Sequence, residues 1–116
     1  MGFDFEELEV YQKALMFTDD VYRLTKSFPA EERFGLVDQL RRAAISITLN
    51  IAEGSGRTKR DFYHFLRNSR ASCYECAAVV HIATRRTYLS SAEQERCLAQ
   101  LTSLSKMLSG LMRSVA

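Results

Sequence analysis

"QLRRAAISITLNIAEGSGR", residues 39–57, is the stretch that decides the fold. Its apolar residues recur at intervals of three and four, the spacing that places side chains on one face of an α-helix. That face begins just before the quoted stretch and consists of Leu36, Leu40, Ala43, Ala44, Ile47 and Ile51. We therefore predict a helix over residues 30–53, which the glycine-rich residues 54–56 bring to an end.

Three other segments show the same periodicity. The first covers residues 6–27 and stops before Pro29, which with the two glutamates behind it starts the second helix. The third follows Thr58, which resembles a capping pair with Asp61, and runs to about residue 87; the fourth opens at Ser91 with Gln94. The predicted core faces are Leu8, Tyr11, Leu15, Thr18, Val21, Tyr22 and Thr25; Phe62, Phe65, Leu66, Ser69, Cys73, Cys76, Val80 and Ala83; and Leu98, Leu101, Leu104, Leu108, Leu111, Met112 and Val115.

The segments together predict an all-α fold. No segment alternates apolar and polar residues as a strand does, and five glycines and one proline leave few breaks in the chain. Four amphipathic helices joined by short links favour an antiparallel, up-down-up-down four-helix bundle. At 116 residues, the chain is predicted to be a single domain over residues 1–116.

The cysteines and the N-terminus indicate a cytoplasmic protein. Three cysteines give an odd count without a disulfide framework, and no signal-peptide region or membrane-length apolar run occurs. Cys73 and Cys76 share the core face of the third helix, and no second ligand pair completes a metal site. We predict no metal and no cofactor.

The second helix also has an apolar back face, opposite the predicted core. Isolated surface apolar residues, cover by the N-terminal segment "MGFDF", or a second copy of the chain would each account for it. Because the apolar residues line up, self-association is the favoured interpretation. The predicted interface on the second and third helices consists of Ile45, Leu49, Ala52, Tyr63, Ala71, Tyr74, Ala78 and Ile82.

Charge is unevenly distributed along the chain. Residues 1–35 carry eight acidic and four basic groups, whereas residues 36–86 carry four acidic and nine basic groups. Cations spaced by aromatic rings suit RNA or single-stranded DNA, although the same arginines would also suit pairing between subunits. The candidate nucleic-acid contacts are Arg41, Arg42, Arg57, Lys59, Arg60, Arg67, Arg70 and Arg85.

Ser46, Asn50 and Glu53 form a polar edge along the second helix. They are candidates either for catalysis or for a buried hydrogen-bond set that fixes the register between helices, and the second is favoured. Phosphate-binding loops, nucleophile elbows and di-iron motifs are absent from the sequence. We predict no enzyme and no small-molecule substrate.

The segments "FEELEVYQKA", "FPAEERFGLVDQLRRAAISITLNIAEGSGR", "DFYHFL" and "ASCYE" resemble the bacterial four-helix bundle family that includes the 23S rRNA intervening-sequence proteins. The resemblance covers nearly the whole chain and is most specific in the central block. Ala71 departs from the family pattern, which often has glycine there. The matching positions are Gln39, Arg42, Ala43, Ser46, Asn50, Ile51, Ala52, Glu53 and Gly54, and Phe62, Phe65, Leu66, Ser72 and Glu75.

The resemblance implies a small cytoplasmic bundle that forms a ring-like homo-oligomer, typically a pentamer. A related branch, the accessory proteins of diversity-generating retroelements, has a basic surface and binds a reverse transcriptase and nucleic acid. The expected function is therefore a non-enzymatic, self-associating accessory factor that binds RNA or a nucleoprotein. The alternative is a protein-binding scaffold without nucleic-acid contact.

Overall fold

The computed structural model describes residues 2–116 and contains four α-helices and two short 3-10 turns. We number the helices α1 (Glu9–Thr25), α2 (Leu36–Ser55), α3 (Lys59–Arg85) and α4 (Ser91–Ser114). The 3-10 turns are Asp4–Glu7, before α1, and Ala30–Glu32, between α1 and α2. No strand occurs within residues 2–116, so the predicted all-α class is confirmed.

The helices form an antiparallel four-helix bundle of about 42 × 24 × 21 Å. Residues that hydrogen-bond across neighbouring helices, or that line one recess between them, run in opposite directions along the two helices. The pairs are Thr18 with Ala44 and Thr25 with Arg41 for α1 and α2, Ile47 with Ser69 and Ser46 with Ser72 for α2 and α3, and Tyr63 with Val115 and Tyr74 with Ser105 for α3 and α4.

The core faces predicted for α2, α3 and α4 are confirmed. The buried members of these faces are Leu40, Ala43, Ala44, Ile47 and Ile51 on α2, Leu66, Ser69, Cys73, Cys76, Val80 and Ala83 on α3, and Leu101, Leu104, Leu108 and Met112 on α4. They form one contiguous cluster with the buried residues of α1. Within residues 2–116, no helix is both long and apolar enough to cross a membrane.

The core face predicted for α1 is correct at Val21 and Thr25, which are buried, and wrong at Leu15 and Tyr22. Leu15 and Tyr22 are 37% and 38% exposed, whereas Phe17, which was left out of that face, is completely buried. The residues that do reach the core alternate at intervals of four and three, the spacing of a bundle seam. These are Val10, Ala14, Phe17, Val21 and Leu24. Apolar residues lie on both sides of α1, and the phenylalanine side is the one that packs against the other helices.

Two helix starts also differ from the prediction. The segment after Pro29 makes only a 3-10 turn, and α2 begins at Leu36, whose N–H donates to the Glu32 carboxylate at 3.2 Å. At α4 the capping box is one residue earlier than predicted: Ser90 and Glu93 bond reciprocally at 2.9 and 3.1 Å. The start of α2 is thus six residues later than predicted and the cap of α4 one residue earlier, because local turn geometry, which periodicity does not specify, sets both.

Gly54 does more than end a helix. It lies buried in the last turn of α2, and a Cβ built on it would be 2.4 Å from Cβ of Phe65. Such a distance is far below van der Waals contact, so only glycine lets α2 and α3 approach this closely. Gly56, which does cap α2, has open space around it. The prediction that residues 54–56 act only as a stop is therefore corrected at Gly54.

Candidate interaction surfaces

A polar seam joins α2 to α3. Asn50 Nδ2 donates to the Ser46 carbonyl at 2.8 Å and to Ser46 Oγ at 3.0 Å. The Ser72 hydroxyl donates to Ser46 Oγ at 2.9 Å, and the Ser69 hydroxyl donates to the Ile47 carbonyl at 2.8 Å. Bonds that cross from one helix to the next hold α2 and α3 in a single register. Sequence spacing placed Ser69 on the core face of α3 but did not indicate which residue of α2 it would meet.

Glu53 is separate from this seam. Its side chain is 57% exposed and forms an ion pair with Arg57 at 3.4 Å. The Ser46 hydroxyl has only Asn50 and Ser72 as hydrogen-bond partners within residues 2–116, so no carboxylate or imidazole contacts it as a base. Ser46, Asn50 and Glu53 therefore lie on one helix, and within residues 2–116 Ser46 has no contact with a base that would activate it as a nucleophile.

The outer face of α2 is open. Leu49 is 59% exposed and Ile45 is partly buried, and both line a shallow depression of about 440 Å³. Arg42, Ser46, Asn50 and Glu53 complete its lining. An apolar floor with a polar rim is the usual composition of a protein–protein contact.

The N-terminal segment does not cover this face. Its 3-10 turn, Asp4–Glu7, contacts both α1 and α2. Phe5 packs edge-on against the ring of Tyr11, 4.8 Å between centroids, which holds the turn at α1. Leu49 nevertheless remains more than half exposed. Cover by "MGFDF" therefore does not account for the apolar back face; Met1 lies outside the described residues.

The outer face of α3 is also apolar in part. Tyr74 and Ile82 are 65% and 48% exposed, Ala71 and Ala78 are exposed, and Tyr63 is partly buried. All five belong to the predicted interface. They lie on one side of the helix, the side that faces away from the core.

Two of the candidate nucleic-acid contacts form hydrogen bonds to a neighbouring helix of the same chain. Arg41 Nε donates to the Thr25 hydroxyl at 3.0 Å, and its guanidinium lies 4.4 Å from the ring centre of Tyr22. Arg70 donates to the Ser109 hydroxyl of α4 at 3.0 Å. Each arginine ties its own helix to a neighbour.

Two further candidates pair with acidic groups on the same stretch of chain. Arg42 lies 3.2 Å from Asp38, and Arg57 lies 3.4 Å from Glu53 with its guanidinium 5.0 Å from the ring centre of Phe65. These pairs are exposed, so they contribute little stability, but they neutralise the two arginines.

The remaining candidates are the uncompensated ones. Lys59, Arg60, Arg67 and Arg85 are exposed, and no ion pair within residues 2–116 involves them. All lie on α3, on the side that also carries Tyr74 and the exposed alanines. The predicted basic face and the α3 part of the predicted interface are therefore the same surface.

The cysteines lie in the core. Cys73, Cys76 and Cys97 are at most 2% exposed and unpaired. Burial raises the pKa of the Cys73 thiol from 9.0 to about 12 and raises the pKa values of Cys76 and Cys97 as well. Thiols held in the neutral form are poor nucleophiles and poor metal ligands. Within residues 2–116, no cluster of histidine, cysteine and acidic residues has the arrangement of a metal site.

The bundle, its polar α2–α3 seam and its two open outer faces define a class: small helical bundles with surfaces suited to binding. The family model described as 23S rRNA-intervening sequence protein matches residues 6–110. The chain belongs to this family, as the resemblance predicted.

A solved structure supports the fold assignment. It is a crystal structure of a protein of unknown function from the S23 ribosomal protein family of Bacteroides thetaiotaomicron, with a TM-score of 0.83. The match is 24% identical and covers 90% of this chain and 95% of that chain, and at this identity the likeness shows the fold. No curated protein matches the chain.

Proposed function

We propose that this protein is a non-enzymatic, self-associating bundle that acts in the cytoplasm as an accessory factor for RNA or a nucleoprotein. Residues 1–116 act as one domain. Membership in a family described by its link to 23S rRNA supports a role near RNA. The surfaces of α2 and α3 supply the two contacts that such a role needs.

Self-association uses the outer face of α2. Leu49 is a large apolar side chain that is more than half exposed, and it lines the depression together with Ile45. The polar residues around them can form hydrogen bonds to a partner. Covering this depression with a second copy removes apolar surface from water, which favours association. By the family resemblance the assembly is a closed homo-oligomer, typically a pentamer, in which every copy makes the same pair of contacts with its two neighbours.

Nucleic acid binds on the outer face of α3. The observation that carries this proposal is that Lys59, Arg60, Arg67 and Arg85 are exposed on one helix without an ion pair inside the described chain. Uncompensated cations attract phosphate and release its counterions, a favourable and salt-dependent contribution to binding. Arg41, Arg42, Arg57 and Arg70 have partners within the chain and contribute less.

A salt titration tests the nucleic-acid contact. Binding of a fluorescent RNA is measured by anisotropy between low and moderate salt for the wild type and for Arg67→Ala. We expect affinity to fall steeply with salt, with a slope in the logarithmic plot that is smaller by about 0.7–0.9 for the variant. Arg42→Ala is the matched control, since Arg42 is also exposed but is paired with Asp38. Absence of RNA binding even at low salt contradicts the proposal.

The alternative is a protein-binding scaffold without nucleic-acid contact. It is favoured by Ile82 and Ala78, which lie among the α3 arginines and suit a neighbouring helix. On this alternative, the arginines pair with acidic groups of a sister copy. Arg67→Glu would then break the assembly, whereas on the first proposal it abolishes RNA binding and leaves the assembly intact.

A further inference from the structure

We infer that the side of α3 next to α4 is a track for an unpaired nucleic-acid strand, with Tyr63 and Tyr74 as stacking platforms for two of its bases. The inference rests on the proposed nucleic-acid contact and adds what kind of strand is bound. We call this surface the tyrosine track. It consists of two recesses, one around Tyr63 and one around Tyr74, with Arg67 and Arg70 between them.

The tyrosine track has a one-sided charge. Because α3 is continuous over Lys59–Arg85, each residue can be placed around the helix axis at about 100° from the residue before it. The arc that faces α4 and solvent carries five cations and no acidic residue. Its members are Lys59, Arg60, Tyr63, Arg67, Arg70, Tyr74, Ala77, Ala78, His81 and Arg85. The acidic residues of α3, Asp61 and Glu75, lie outside this arc.

The recess at Tyr74 has the shape and chemistry for a base. It is an open groove of about 360 Å³ between α3 and α4, with the 65% exposed Tyr74 as one wall. Leu98 forms part of its apolar floor, and α4 supplies the hydroxyl of Ser105 and the ammonium of Lys106. A flat ring, an apolar floor and a cation at the edge are what a stacked base and its phosphate need.

The recess at Tyr63 repeats this arrangement one stage along the helix. It measures about 390 Å³ and is lined by Arg60, Tyr63 and His64 of α3 and by Val115 beyond the end of α4. Eleven residues separate Tyr63 from Tyr74, which places the two rings about 20° apart around the helix and about 16 Å apart along it. One strand can therefore reach both recesses.

Arg70 lies between the recesses in a fixed position. Its hydrogen bond to Ser109 joins α3 to α4, so the guanidinium is held at the middle of the track with its other N–H groups available. Arg67 lies one turn earlier and has no ion pair within residues 2–116. The order ring, cation, cation, ring suits two stacked bases that are not neighbours in the strand, with the phosphates between them at Arg67 and Arg70.

A base must leave its own stack to enter either recess. In a duplex each base is already stacked and paired, so only the phosphates can meet the track. The two tyrosines therefore add affinity for single strands alone, whereas the cations act on both. RNA and DNA single strands share the chemistry that the track recognises.

The test compares labelled single-stranded RNA, single-stranded DNA and duplex RNA, each roughly 12 nucleotides long to span the track. Affinities are measured by anisotropy on the full chain at one salt concentration, for the wild type, Tyr74→Ala, Tyr74→Phe and Arg67→Gln. Circular dichroism checks that each variant is folded. Tyr74 is largely exposed, so its substitution leaves the core untouched.

We expect Tyr74→Ala to weaken binding of both single strands by about tenfold and to leave duplex binding unchanged. Tyr74→Phe keeps wild-type affinity because the ring remains, and Arg67→Gln weakens all three ligands. Equal losses on single strands and duplex, or no loss in Tyr74→Ala, overturn the tyrosine track while the proposed function stands. Failure of every ligand to bind at low salt overturns both. The ratio of RNA to DNA affinity then shows which strand the track prefers.

Discussion

Replacing Gly54 by alanine tests the contact that brings α2 and α3 together. The added Cβ would be 2.4 Å from Cβ of Phe65 and 3.0 Å from its Cγ. Cβ is fixed to the backbone, so no change of rotamer relieves the contact, and the end of α2 must move away by about 1 Å to reach ordinary contact. Overpacking of this kind costs about 1–3 kcal/mol.

Alanine also favours the helix, and a second variant separates the two effects. Gly110 lies inside α4, where a Cβ would meet only the end of Arg113 at 3.8 Å. Gly110→Ala should therefore gain about 1 kcal/mol from helix propensity alone. We expect Gly54→Ala to lose about 1 kcal/mol net, so the two variants should differ by about 2 kcal/mol, which is the overpacking cost itself.

The assay is chemical denaturation followed by circular dichroism, at one protein concentration because self-association couples stability to concentration. Gly54→Ala should unfold at lower denaturant than the wild type, and Gly110→Ala at the same or higher. Equal stability of the two alanine variants would refute the close-approach explanation and return Gly54 to the role of a simple helix stop.

Three other predictions concern the core, an interhelical bond and the thiols. Leu40→Asp places a charge at a position that is 2% exposed and should abolish cooperative unfolding; a folded Leu40→Asp protein would reverse the inner and outer faces of α2. Arg41→Ala should cost about 1 kcal/mol by removing the bond to Thr25 and the stacking on Tyr22, whereas Arg42→Ala should be close to neutral; equal effects in denaturation would contradict this. Because burial raises the folded pKa of Cys73 above its ordinary 9.0, its contribution to stability is complete below pH 9 and is lost as the pH rises toward about 12. The unfolding free energy falls as the pH rises through that window, and in Cys73→Ala it should fall less steeply, by about 1.4 kcal/mol per pH unit. An unchanged slope would argue against a buried thiol.

The sequence predicted the fold class and most of the core because periodicity reports directly on burial. The core faces of α2, α3 and α4 each carry a continuous, mostly apolar stripe, so their buried members were identified correctly. On α1 the apolar residues cover two faces, and the choice between Leu15 and Phe17 depends on how α2 and α4 sit against it. Tertiary packing decides that choice, and the chain's own period does not.

The sequence was enough to predict which residues form the candidate surfaces. It was not enough to predict which hydroxyls and carboxylates those residues would contact. Arg41, Arg42, Arg57 and Arg70 look the same in the sequence as Arg60 and Arg67, yet only the first group meets hydroxyls or acids in the folded chain. Whether a cation is compensated depends on which helix lies beside it and in which register. The same limit hid the bond from Ser72 to Ser46.

The proposal that the chain self-associates through the outer face of α2 supports most of the other conclusions. Sedimentation of the wild type and of Leu49→Asp tests it most directly. Leu49 is 59% exposed in the single chain, so aspartate there should change the stability of the fold by no more than about 0.5 kcal/mol. We expect the wild type to sediment as an assembly and Leu49→Asp as a 13.3 kDa monomer with the same helical content. A wild type that sediments as a single chain, or a variant that sediments as the wild-type assembly does, would contradict the account.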